Sequence, residues 1–234
     1  MAFTCGQVLE DVRAILNDAN SVHWTLPELL NWINDGAKAI VTHKPTATAT
    51  DVEFGLDEGT RQELAATQAA LLSINAVLTQ VEGGGGRIRG NSVTRVAKHI
   101  LDAQIPGWQN PDVLPYSVYV NHYVFQPEID PRVFWIAPGN DGTGYVEATV
   151  AMLPTVIAKP LNPLDIESYT TAVDLPDIYR PPLTDYVLYR AFSKDSNIPG
   201  GGQRAVGHYN QFASMLGIKT QAEMQRDERN AAAR

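Results

Sequence analysis

The strongest constraint on the fold of this chain is a change in the spacing of its apolar residues. From Thr4 to Lys44 they recur every three or four positions. After Pro45 they alternate or run together in short stretches, and from Pro181 onward they return to the first spacing. Side chains repeat every 3.6 residues on a helix and every 2 on a strand, so the two patterns need different elements. The expected order is two helices, a β-rich middle and two helices. This is an α+β fold: a four-helix bundle of two N-terminal and two C-terminal helices, with an inserted β-rich module. The segments are 1–45 for the N-terminal helical hairpin and 46–174 for the β module with one short helix. Residues 175–218 form the C-terminal helical pair, and 219–234 a tail that is loose or ordered by a partner.

The helix ends carry their own signals. Thr4 with Gln7, and Thr25 with Glu28, have the capping-box spacing that satisfies two orphan amides reciprocally. Val8, Leu9, Val12, Ile15 and Leu16 form the apolar stripe of the first helix. Leu26, Leu29, Leu30, Ile33, Ala37, Ile40 and Val41 form that of the second. Trp24 precedes the cap and is placed to staple onto Leu29. Gly36 weakens the helix by roughly 1 kcal/mol relative to Ala and marks a close approach by another backbone. Lys44 stands before Pro45, where helices stop. In the C-terminal pair Leu183, Val187 and Ala191 share one face, and Ala205, Tyr209, Phe212, Ala213 and Leu216 another, with Gly217 as the C-cap.

In the middle, strands are expected at Ala70–Val81, Tyr116–Phe125, Arg132–Pro138 and Gly144–Leu153. "PGNDGTG" is a turn between the last two, and "GGGGRIRG" a flexible hairpin tip carrying Arg87 and Arg89. A short helix near residue 100 turns Val93, Val96, Ile100 and Leu101 inward.

Sites for chemistry are sparse. The glycine run lacks the Lys and hydroxyl of a phosphate-binding loop. Arg87 and Arg89 remain candidates for a DNA-channel or partner-facing loop. Five histidines are scattered without metal spacing, and Cys5 is the sole cysteine, which excludes an internal disulfide and a cysteine metal cage. No nucleophile elbow occurs, and the acidic pairs Glu10/Asp11, Asp57/Glu58 and Asp227/Glu228 read as solvated surface. No cofactor and no metal are expected. The net charge of -8 argues against a basic grip on nucleic acid, yet an acidic wall lets DNA pass without sticking. Only 19% of residues are charged, which leaves neutral polar surface suited to a subunit covered by neighbours. No apolar run approaches the roughly 20 residues that span a bilayer. The N-terminus has no basic region of a signal peptide, so synthesis in a cytoplasm is expected.

Four stretches together resemble one family. They are "VLEDVRAILNDANSVHWTLPELLNWINDGAKAIVTHKP", "RVAKHILDAQIPGW", "HYVFQPEIDPRVFWIAPGNDGTGYVEATVAMLPT" and "DLPDIYRPPLTDYVLYRAFSKDSNIPGGGQRAVGHYNQFASMLG". In this order they are similar to the head-to-tail adaptor (connector, neck) proteins of tailed bacteriophages. The resemblance implies a structural virion protein without enzymatic activity. Such a protein forms a homo-oligomeric ring, usually of 12 copies, beneath the portal, and extends the DNA channel. The implied partners are the portal protein, a tail or neck protein below the ring, and other copies of the chain. Genomic DNA passes without sequence-specific binding, and no membrane is involved. The location would be the virion neck, after synthesis in the host cytoplasm. The helix from Leu26 would be a stave of the ring wall, and Arg226, Arg229 and Arg234 would reach portal carboxylates. The alternatives are a virion-associated enzyme that degrades cell wall, and another tail-tube or baseplate component.

Overall fold

A computed structural model describes residues 2–81, 86–194 and 200–217. The elements run β1 (Ala2–Thr4), α1 (Cys5–Leu16), α2 (Leu26–His43), β2 (Ala49–Gly55), β3 (Gly59–Glu63), β4 (Gln68–Gln80), β5 (Arg87–Ser92) and β6 (Thr94–Arg95). They continue with α3 (Lys98–Gln104), β7 (His122–Phe125), β8 (Val133–Asn140), β9 (Tyr145–Met152), β10 (Ala172–Pro176), α4 (Arg180–Lys194) and α5 (Gly201–Leu216). The chain divides into two units, one of residues 1–47 with 154–234, the other of Thr48–Leu153.

The first unit is mainly helical. Thr4 and Gln7 make the expected reciprocal cap on α1. The turn to α2 is held by one carboxylate: Asp18 accepts the backbone N–H groups of Val22, His23 and Trp24, each at 3.0 Å. Burial pushes the Asp18 carboxyl up, but these three amides outweigh it and hold the group below its ordinary value of 3.8. Such a group stabilises the fold above its unfolded pKa and loses that contribution as pH falls through the lower folded value. Asp18→Asn is therefore expected to cost about 1 kcal/mol at pH 7, as loss of a screened cap carboxylate does. The gap between the two melting curves should close as pH drops below the ordinary carboxylate range, and a gap independent of pH would refute the assignment.

The cap of α2 differs from expectation. Thr25 caps only through its backbone carbonyl, which accepts from Glu28 N and Leu29 N, and its side chain makes no cap bond. Glu28 is drawn away because both its carboxylate oxygens take the Lys194 ammonium of α4 at 2.8 Å. A charge-assisted pair outcompetes the neutral reciprocal bond. Trp24 and Leu29 are both buried. The approach at Gly36 is to the side chains of Leu183 and Tyr186 on α4, rather than to a backbone. Ile15, expected in the first stripe, is exposed.

α4 is the hub of this unit. α1 and α2 pack on it, and so does α5. Leu183, Val187, Leu188 and Ala191 are completely buried there. Arg180 clasps Asp11 of α1 through two bonds of 2.8 and 2.9 Å. Residues 154–174, expected in the β module, belong to this unit instead. Asn34 of α2 fixes Ile157 through both its backbone groups, and β10 pairs with β1. The N–H of Gly6 donates to Tyr169 O at 2.9 Å, so close that a side chain at position 6 would collide with it.

The second unit is two four-stranded sheets, ordered β2-β9-β4-β5 and β3-β8-β7-β6. Alternation sets the core. Val146, Ala148 and Val150 of β9 and Leu71, Ile74 and Val77 of β4 share a cluster with Tyr123, Phe125, Phe134 and Ile136 of the other sheet. A smaller cluster lies with α3, where Leu101 and Trp108 meet Val124 and Ala137. Strand β8 is thus buried along most of its length. Ile100 faces solvent instead of the interior.

One expectation changes here. The strand at Tyr116–Phe125 shrinks to its last four residues. The carbonyls of Ser117 and Val118 turn to the side-chain amide of Asn140 and are lost to strand pairing. "PGNDGTG" is the expected turn from β8 to β9, and it carries the chain from one sheet to the other.

Candidate interaction surfaces

Arg87 and Arg89 lie on strand β5 and not on a loose tip. Arg87 pairs with Glu53 at 2.9 Å, and its guanidinium lies 3.4 Å from the centre of the Tyr145 ring. Arg89 pairs with Glu147. Both charges are thus matched by carboxylates of the same sheet. The face continues as a chain of polar contacts: Ser73 donates to Asn75, Asn75 to Thr149, and Thr149 to Asp51. It is hydrophilic, hydrogen-bonded and close to neutral.

The outward face of α5 is mostly neutral polar, with Arg204 as its one exposed charge among the described residues. Gln203, Gly207, Asn210, Gln211 and Ser214 are exposed along it. Its other side meets α4 through edge-on and tilted rings, with contacts among Tyr186, Tyr189, Tyr209 and Phe212 at 5.2 to 6.2 Å between centres. Tyr209, expected inside, keeps 40% of its surface exposed at the edge of this group. His208 bonds Asp185 at 2.8 Å and lies parallel to Phe192, which ties α5 to α4.

Two surfaces escaped the sequence reading. One is a loop after β9. Leu161 and Leu164 stand almost entirely in solvent, and Asp165 and Glu167 beside them are exposed and have no cation partner among the described residues. The alternation of Pro and Leu in "KPLNPLD" was the available signal. The other is an open cleft of about 640 Å³ beside α3, with Arg95, Lys98 and His99 at its rim and Val96, Val124 and Phe125 within. The distant stretches that form it are brought together by the parallel pairing of β6 with β7.

Among the described residues no group of three or more His, Cys, Asp or Glu side chains is placed to hold a metal ion. No helix among the described residues is long and apolar enough to cross a membrane. Trp24, Thr25 and Glu28 sit together at the start of α2, where Trp24 is buried and Glu28 joins α4. Arg226, Arg229 and Arg234 lie outside the described residues.

The architecture is that of an α+β protein whose helical unit carries a two-sheet insertion and whose apolar side chains are partly left facing outward. The chain belongs to the SU10 adaptor protein family, a family of phage head-to-tail adaptors, whose model matches residues 3–234. No curated protein matches it.

Proposed function

We propose that the chain is a structural, non-enzymatic adaptor of the virion neck that forms a ring beneath the portal, extends the DNA channel and offers the tail its docking surface. Family membership over nearly the whole chain carries this reading. The surface chemistry supports it. A net charge of -8 suits a wall past which DNA must slide, since like charge prevents adhesion. The mostly neutral outer face of α5, where Arg204 is the one exposed charge among the described residues, can be covered by a neighbour with little stripping of water from ions. In this reading the four helices act together as a bundle, and α2 is a stave of the ring wall. Twelve copies match the symmetry expected of the portal, and Arg226, Arg229 and Arg234 pair with portal carboxylates.

The test is the mass of the complex formed by the full chain with its portal. A stoichiometry compatible with portal symmetry is expected, and one that cannot follow it would overturn the ring. Deleting Gln221–Arg234 should leave the melting temperature unchanged and weaken portal binding. Unchanged binding would move the docking surface to the helical unit.

A further inference from the structure

The exposed loop and the cleft beside α3 are chemical complements. The loop presents two leucines and two exposed carboxylates, Asp165 and Glu167, neither with a cation partner among the described residues, although Asp165 accepts the Glu167 N–H. The cleft is lined by the apolar side chains of Val96 and Phe125 and by Arg95, Lys98, His99 and Asp102, so that with Lys98 matched by Asp102 its net charge is the one positive charge of Arg95. There the Arg95 guanidinium donates to Phe125 O and lies over the Phe125 ring, with no carboxylate partner among the described residues. Lys98 is held by Asp102, and His99 is exposed.

The loop is built rather than slack. Ser168 Oγ donates to the carbonyls of Asn162 and Asp165, both at 2.6 Å, and Tyr169 Oη donates to Pro163 O at 2.9 Å. Tyr169 itself is buried. Two prolines, Pro160 and Pro163, restrict the backbone further. A knob fixed in this way loses little entropy on docking. Burying Leu161 and Leu164 would remove apolar surface from water that the isolated chain leaves exposed. The cleft, at about 640 Å³, is large enough for such a knob.

We propose that the knob Leu161–Glu167 of one copy docks into the Arg95 cleft of a second copy. Charge complementarity selects the occupant: the knob is acidic and apolar, and the cleft is basic at the rim and apolar within. The two surfaces are different patches, so the contact is heterologous, and a heterologous contact that closes makes a ring. The proposal rests on the ring reading above and specifies the surface that joins neighbours.

Charge-reversed full-length chains test it. One variant carries Asp165→Lys and Glu167→Lys, the other Arg95→Glu and His99→Glu. All four positions are exposed, and unchanged melting curves confirm the fold; because Asp165 also accepts the Glu167 N–H, Glu167→Lys alone is the control that keeps the loop's own bonds. Binding to the portal ring is followed by mass as concentration rises. Wild type is expected to fill the ring cooperatively. Each variant alone should fill it independently and at least about tenfold more weakly, as facing like charges repel. An equal mixture of the two should restore cooperative filling, because each reversed knob then meets a reversed cleft. A third variant, Leu161→Ser with Leu164→Ser, should also lose cooperativity. Variants that assemble like wild type, or a mixture that does not recover, overturn the proposal and leave the ring standing. Weakened binding of the first isolated copy would assign the knob to the portal and overturn it as well. Failure of wild type to form any ring would overturn the ring reading itself.

Discussion

Replacing Asn140 by alanine is expected to destabilise the β unit by roughly 3–5 kcal/mol, as removal of partners from several buried polar groups does. Asn140 is completely buried. Its amide nitrogen donates to Ser117 O at 2.9 Å and Val118 O at 3.2 Å. Its oxygen accepts the N–H groups of Gly142 at 2.8 Å and Gly144 at 3.0 Å. One side chain thus satisfies four backbone groups of two segments. The same amide fills the space beside Gly144, where a Cβ would collide with it. Alanine leaves all four groups without this partner, and urea unfolding measures the loss. A change under about 1 kcal/mol would mean that water replaces the amide there, against the cost expected for buried groups.

Gly36→Val is expected to cost about 3 kcal/mol, through overpacking that helix propensity cannot offset. A Cβ at position 36 would lie 2.6 Å from Leu183 Cδ1 and 2.7 Å from Tyr186 Cδ1. Leu183 is completely buried and has nowhere to retreat. Even Gly36→Ala should lower the melting temperature, although alanine gains roughly 1 kcal/mol of intrinsic helix preference. Gly207→Ala on α5 supplies the opposite sign. A Cβ there meets nothing within 4 Å, so the propensity gain should appear as higher stability. If both alanine variants stabilise the protein, the contact of α2 with α4 is looser than described.

What the sequence disclosed follows from the range of the interactions involved. Helices α1, α2, α4 and α5 were legible because their stripes and stop signals are local, as were the strands with clear alternation such as β9. Strand β3 was missed: its residues, "GTRQE", carry no apolar alternation, and its pairing with β8 joins positions far apart in sequence. Glu28 was misassigned for the same reason, since its partner Lys194 lies 166 positions away. Arg87 and Arg89 read as loop residues beside a glycine run, while the carboxylates that hold them come from other strands. Of the two complementary surfaces, neither was foreseen. A solvent-facing leucine looks like any other leucine until the fold decides which ones it leaves outside.

The seam of the insertion has a consequence for how such proteins diversify. β2 leaves the helical unit and β9 returns to it as paired neighbours, with Ala49 opposite Ala151 and Thr48 Oγ1 bonded to Met152 O at 2.7 Å. Entry and exit are therefore clasped within one antiparallel rung, where backbones are only about 5 Å apart. In connectivity, Thr48–Leu153 is thus an insertion whose two ends are adjacent. Any module whose own ends meet in such a rung can be spliced there with the flanking junctions unchanged, so the insertion can be exchanged as a cassette.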